Sequence, residues 1–238
     1  MSDIQGVYVE LGLVPMIYGV DSVHGFIYLH GGTVFPQQIN AAASFDPSVA
    51  EQLGHITAYE TRAVGIPWTF APILDLATHP GWPRVYETFG EDPKLSSVMA
   101  DAIVRGYQGS NVPASLADPD RVAACMKHFI GYGNPRNGQD RSTSIIPDRH
   151  LRQYYLPSFQ AAIDAGVATA MESYNDINGE PVVASHKYLK QILREEMGFG
   201  GMLVTDWAEI NDLVAFHRIK STKKEATQLG TEEHVAFL

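Results

Sequence analysis

Five short, mainly apolar runs recur along the chain, at residues 14–20, 66–74, 121–126, 167–171 and 202–204, and each gives way abruptly to polar residues. A run that is apolar at consecutive positions rather than alternate ones reads as a strand covered on both faces. Between these runs the apolar spacing changes to the helical period. Residues 36–43 offer a short helix. Asp46-Pro47 opens a longer one, with Asp as N-cap and Pro at the first helical position, and Val49, Leu53, Ile56 and Tyr59 keep the period to about residue 64. The same start recurs at Asp92-Pro93, where Leu95, Val98, Met99, Ala102, Ile103 and Tyr107 line one face up to Gly109. Helix signals return at Asp148, with Leu151, Tyr155, Phe159 and Ile163 before Gly166, and again after Ser185, with Leu189, Ile192, Leu193 and Met197 before Gly198. A last helix is predicted over 208–217. Residues 1–13 are weakly patterned, and no strand is predicted after residue 218.

Strands that alternate with helices predict parallel pairing, so that all the C-terminal strand ends lie on one edge. A polar group stands at or just past each of those ends: Asp21, Asp75, Lys127 with His128, Glu172 and Asp206. The long polar loops 76–91 and 131–147 leave from the same edge, and each exceeds what a connection requires. A doubly wound open sheet concentrates its site at one crevice and favours a glycine-rich phosphate turn after a strand; neither G-x-G-x-x-G nor G-x-x-x-x-G-K-[ST] occurs here. Groups on all five ends favour a (β/α)8 TIM-type barrel. Five strands do not close one, so the predicted fold class is α/β, a partial (β/α)8 barrel with parallel strands, lacking the first and last strands.

Composition narrows the chemistry. The chain has 238 residues, and seventeen basic against twenty-seven acidic residues give a net charge of −10, which disfavours nucleic acid as a partner. No run of 18 apolar residues is present, and the first residues do not have the form of a secretory signal, so neither a membrane span nor export is expected from the chain as written. The single cysteine, Cys125, lies in an apolar run and reads as a small core residue. The histidines show no H-x-H or H-E-x-x-H spacing, so no metal or other cofactor is expected. Asp206, at the end of the run 202–204 with Trp207 beside it, is the first candidate for chemistry. The bland alternative is a helix N-cap.

Six ordered motifs carry a resemblance: Tyr18-Gly19-Val20-Asp21-Ser22-Val23-His24-Gly25, Ala71-Pro72-Ile73-Leu74-Asp75, Pro83-Arg84-Val85-Tyr86-Glu87-Thr88-Phe89-Gly90-Glu91-Asp92-Pro93, Lys127-His128-Phe129, Met171-Glu172-Ser173-Tyr174-Asn175 and Val204-Thr205-Asp206-Trp207. Over about residues 10–218 the chain resembles the N-terminal barrel domain of glycoside hydrolase family 3, the β-glucosidase and exo-glucanase family. The resemblance implies retaining hydrolysis of terminal non-reducing β-D-glucosyl residues, with Asp206 as nucleophile and a β-glucoside or β-glucan oligosaccharide as substrate. It implies that Asp21, Arg84, Lys127 and His128 hold sugar hydroxyls. A pyranose hydroxyl both donates and accepts, which suits carboxylates set beside cations; a structural ion network is the alternative. Met171 and Tyr174 resemble residues near the nucleophile, Trp207 a sugar platform, and Arg141, with Asp140, a loop group reaching the sugar. Glu172 reads as a supporting hydrogen-bond partner and His24 as a satisfied loop histidine.

The family's acid/base residue comes from a later part of the polypeptide, so it is expected to be absent from this chain. The expected organisation is a lead-in over 1–13, an incomplete barrel domain over 14–218 and a divergent tail over 219–238. The family is often extracellular or lysosomal. A complementary chain supplying strands and a second domain is the expected macromolecular partner, and an inactive sugar-binding remnant is the alternative to an enzyme.

Overall fold

The computed structural model describes residues 2–232. Helix α1 (Ser2–Glu10) leads into β1 (Gly19–Val20), and α2 (Gln38–Ala43) and α3 (Pro47–Ala63) carry the chain to β2 (Trp68–Thr69). Helix α4 (Pro93–Gln108) then precedes β3 (Ala123–Phe129). The next helical stretch begins as α5 (Asp148–His150), widens into π-type turns over Leu151–Tyr155 and ends as α6 (Leu156–Asp164), before β4 (Thr169–Glu172). A small hairpin, β5 (Asp176–Ile177) with β6 (Glu180–Pro181), turns on Asn178 and Gly179, both at positive φ, as a two-residue hairpin loop requires. A π-type helix, His186–Glu196, follows with Ser185 as its N-cap. The chain then enters β7 (Met202–Val204), α7 (Glu209–Ala215) and α8 (Lys223–Glu232).

The main sheet has the order β1-β2-β3-β4-β7, every pair parallel, and forms an arc of a (β/α)8-type barrel. Side chains alternate across it. Ala124, Met126, Ala170 and Leu203 point to the helices and join the principal core, whereas Trp68, Cys125, Met171 and Val204, on four consecutive strands, form a second cluster on the inner face. Cys125 lies in that inner cluster, fully buried, and burial pushes its thiol up to about 12, as a core residue requires. The Trp68 indole N–H donates to Thr169 Oγ1 at 2.8 Å, so the buried ring leaves no donor unpaired.

Three features depart from the sequence reading. The run 14–20 is not a buried strand: Val14 is 85 % exposed, Ile17 and Tyr18 are also exposed, and only Gly19–Val20 pair. The predicted strand 66–74 keeps a ladder only at Trp68–Thr69; Pro72 has no N–H to give, and a single bridge, Ile73 to Lys127, resumes the pairing. Helix α3 buries Ala50, Leu53, Gly54, Thr57, Ala58 and Thr61 and leaves Val49, Ile56 and Tyr59 largely outside. Small residues win that face because α3 and α4 approach backbone to backbone: a Cβ on Gly106 would meet Glu51 O at 2.2 Å, and one on Gly54 would meet Ile103 O at 2.7 Å. Helix α8 packs Ala226 on Val183 and Leu213. The last part of the tail expected over 219–238, residues 233–238, lies outside the described residues. Among those described, no helix is long and apolar enough to cross a membrane.

Candidate active site

Parallel strands place their C-terminal ends on one edge, and a pocket of about 380 Å³ opens there. Its lining combines three cations, Arg84, Lys127 and Arg141, with three carboxylates, Asp21, Glu87 and Asp206, together with His128, Tyr28 and Tyr174. Two neighbours on one strand, Lys127 and His128, both reach it. The pairing of β3 with β4 shifts between Met126 and Phe129, which breaks the alternation that would otherwise turn one of them away.

The polar groups are tied pairwise. Lys127 Nζ donates to Asp21 Oδ1 at 2.6 Å; the lysine side chain is buried, while the aspartate is half open to the pocket. Arg84 grips Glu87 with both arms of its fork, Nε to Oε1 at 3.0 Å and Nη2 to Oε2 at 2.7 Å. Burial opposes the Arg84 charge, but Glu87 outweighs it and holds the guanidinium above its ordinary value. The same Nη2 stands 3.2 Å from His128 Nε2. Burial, and then the Arg84 and Lys127 charges, hold the imidazole well below its usual value, so it is neutral. Arginine only donates, so Nε2 must accept and the proton sits on Nδ1, which donates to Asp75 Oδ2 at 2.7 Å. Asp75 Oδ2 also accepts the His128 backbone N–H at 3.0 Å. Burial raises the Asp75 carboxyl to about 7 despite that bond.

Asp206 hangs from the loop after β7. Its Oδ2 lies 3.5 Å from His128 Nε2 and its side chain is 13 % exposed, facing the pocket. Its backbone N–H donates to Glu172 Oε1 at 3.1 Å, and its Oδ1 accepts the Trp207 N–H at 2.6 Å. The N-cap alternative is not what the structure shows: α7 starts from Ala208, in the left-handed region at φ 59°, with no side-chain cap bond. Tyr174 donates its hydroxyl to Trp207 O at 3.1 Å, and Arg141 stacks its guanidinium on the Tyr174 ring at 3.8 Å. Burial first, then Asp206, raises the Tyr174 hydroxyl.

Of the sequence-predicted residues, Asp21, Arg84, Lys127, His128, Arg141, Tyr174 and Asp206 converge in the pocket. Met171 does not line it; it packs below, in the inner cluster with Trp68, Cys125 and Val204. The Trp207 ring stands outside at 74 % exposed, although its backbone ties Tyr174 to Asp206. Glu172 is the supporting partner expected of it, and His24 Nδ1 is satisfied by Phe35 O at 2.7 Å. Asp140 accepts from the Trp82 indole at 3.0 Å rather than lining the pocket. Sequence reasoning gave no role to Glu87, Tyr28 or Glu209. The spacing of Glu87 three residues after Arg84 was a usable signal, whereas nothing local marks Glu209. Among the described residues no group of three or more His, Cys, Asp or Glu is placed to hold a metal ion.

The lysosomal beta glucosidase of Dictyostelium discoideum is 47 % identical over 216 residues, covering 90 % of this chain and 26 % of that protein. A beta-xylosidase of Formosa agariphila is 37 % identical, covering 95 % and 32 %. The crystal structure of a beta-glucosidase from Listeria innocua superposes with a TM-score of 0.92 at 35 % identity, covering all of this chain and 32 % of that one. The chain thus spans about a quarter to a third of the relatives it matches. The sequence model described as the glycosyl hydrolase family 3 N terminal domain matches residues 4–233, so the chain belongs to glycosyl hydrolase family 3 through its N-terminal domain.

Proposed function

We propose that this chain is the sugar-holding part of a retaining glycoside hydrolase acting on terminal non-reducing β-D-glucosyl residues, with Asp206 as its nucleophile. The observation that carries the reading is the position of Asp206, at a strand end inside a pocket whose other walls are hydrogen-bonding cations and carboxylates. In this reading Oδ2 attacks the anomeric carbon and forms a glycosyl ester. Asp21, Arg84, Lys127, His128 and Arg141 fix the hydroxyls, and Tyr174 with Glu172 holds the nucleophile's loop. Complexes of the Listeria innocua enzyme with glucose and with gluconolactone favour a monosaccharide ligand for a pocket of this kind. The proposed barrel unit is 14–218, with 1–13 as lead-in and 219–238 as tail.

A retaining mechanism also needs a second carboxyl about 5 to 5.5 Å from the nucleophile, to protonate the leaving oxygen and then activate water. Both other pocket carboxylates among the described residues are engaged in ion pairs, Asp21 with Lys127 and Glu87 with Arg84. The acid/base group is therefore proposed to come from outside this chain, from a further domain or a complementary chain. Without it the leaving group departs unprotonated, and a contribution of about 10²- to 10⁴-fold is missing.

The test is turnover by the purified chain of aryl and alkyl β-D-glucosides. Slow release from an activated aryl glucoside, none from an alkyl glucoside, and loss of the former in Asp206→Ala are expected. Release that survives Asp206→Ala would refute the assignment; glucose binding with no turnover of any substrate would favour a sugar-binding remnant.

A further inference from the structure

Two buried carboxyls lie beneath the pocket, and the chemistry above leaves the protonation of both unassigned. Glu172, at the end of β4, and Glu209, at the start of α7, are both fully buried. Each has one oxygen, Oε2 in both, with no hydrogen-bond partner among the described residues. The Glu172 carboxyl and the Glu209 backbone meet at one short loop. Glu172 Oε1 accepts the Asp206 N–H at 3.1 Å, and the Glu209 N–H donates to Asp206 O at 3.3 Å. The nucleophile's peptide units are thus held from below by one glutamate and from ahead by the other.

The two carboxyls differ in what faces them. The groups acting on Glu172 are Glu209 and Asp206, both acidic, and among the described residues no cation forms an ion pair with it. Glu209 has Asp206 and Asp212 on its acidic side, but also His217, whose Nε2 lies 3.4 Å from Oε1. A fully buried carboxylate with no cation and an unpaired oxygen costs far more than a neutral acid at the same place. An ionised Glu172 would add the repulsion of two neighbouring carboxylates. A proton on Oε2 removes the buried charge and the repulsion and leaves Oε1 as the carbonyl oxygen that already accepts the Asp206 N–H.

We propose that Glu172 is a positioning residue for Asp206, acting as a neutral carboxylic acid that receives the Asp206 backbone N–H on Oε1 while Glu209, beside His217, carries the negative charge of the pair. The role follows from the same geometry. An ionised Glu172 would hold the loop equally well but would set a second negative charge beneath the carboxylate that must attack. A neutral one holds the loop and leaves Asp206 as the charged carboxyl at that strand end. Burial, then Glu209 and Asp206, hold Glu172 well above the ordinary range for glutamate, and burial brings Glu209 to about 7.

This rests on Asp206 being the nucleophile only for its functional meaning; the protonation itself is tested without any substrate. In the whole chain labelled with carbon-13 at the glutamate carboxyl, one signal, missing in Glu172→Gln, should stay at the shift of the protonated acid through pH 7. Because Glu172 keeps in the folded state a proton that the unfolded chain releases above about pH 4.3, the parent's folding constant should fall relative to Glu172→Gln by about tenfold per pH unit above that point. A purely structural glutamine swap would shift the constant by the same factor at every pH. Should Glu172→Gln not fold, the labelled parent decides, with Glu209→Gln identifying the partner signal. All glutamate signals titrating at or below about pH 5 would overturn the proposal. Absence of glucose binding alongside a protonated Glu172 would instead count against the proposed function alone.

Discussion

Replacing Arg84 by lysine keeps a positive charge and removes a shape. The guanidinium makes three contacts in one plane, two to Glu87 at 3.0 and 2.7 Å and one to His128 Nε2 at 3.2 Å. An ammonium on a shorter, flexible stem can retain one of the Glu87 contacts, so one charge-assisted bond and the bond to the imidazole are lost. Hydrogen bonds to charged groups are worth about 1.5–3 kcal/mol each and neutral ones about 1 kcal/mol. The Arg84 side chain is 22 % exposed, so water replaces part of that loss. A net cost of about 2 kcal/mol follows, and if it falls on the sugar-binding arrangement, glucose should bind about 10- to 30-fold more weakly. The imidazole reports the cause. Asp75 keeps the proton on Nδ1, so nitrogen-15 spectra of His128 should show the Nδ1–H tautomer in both proteins, with the Nε2 resonance displaced in Arg84→Lys by the loss of its donor. Calorimetric titration with glucose at fixed pH and salt measures the affinity. An affinity within about twofold of the parent, with an unchanged His128 Nε2 resonance, would refute the argument that the fork orients this side of the pocket.

Two further outcomes follow from other parts of the structure. The Asp75 carboxyl is raised from 3.8 to about 7 by burial, so the folded chain keeps a proton that the unfolded chain has lost across that window. Stability should fall as pH rises from about 4 to 7, by at most about 1.4 kcal/mol per unit from this group; Asp75→Asn should flatten that slope in urea melts, and an unchanged slope would contradict the assignment. Gly106→Ala places a Cβ 2.2 Å from Glu51 O where α3 and α4 touch. Overpacking of this kind costs about 1–3 kcal/mol, a drop in Tm of about 3 to 10 °C by calorimetry; no drop would mean that the helices can separate freely.

Much of this was legible along the chain because it is encoded locally. The Asp-Pro starts at Asp46 and Asp92 are N-caps in fact, their carboxylates accepting from Ser48 and Leu95 N–H groups, and Ser185 caps on Tyr188. The run 202–204 is β7 to the residue: although it ends the sheet among the described residues, Leu203 packs into the principal core and Val204 into the inner cluster, so both faces are covered. What failed was decided by neighbours. The run 14–20 reads as buried, but apolar content does not say what packs over it, and Val14, Ile17 and Tyr18 stay exposed. The α3 face was assigned to the larger apolar residues, but Gly54 and Gly106 draw α4 onto the small ones. In the pocket, strand-end logic found Asp21, Lys127, His128 and Asp206. It could not show that Asp75 fixes a tautomer, that Trp207 turns its ring outward, or that Glu209, distant in sequence from Glu172, shares its burial beneath the same loop.

The central claim is that Asp206 forms the covalent bond to the sugar. Incubating the chain with a 2-deoxy-2-fluoro-β-glucoside bearing an activated leaving group should slow breakdown of the ester more than its formation, since the fluorine destabilises both steps and only formation gains from the activated leaving group. Intact mass followed by peptide mapping should then find one fluoroglucosyl group, on the peptide carrying Asp206 and absent in Asp206→Ala. A stable label on any other residue, or an unchanged label in Asp206→Ala, would contradict the account.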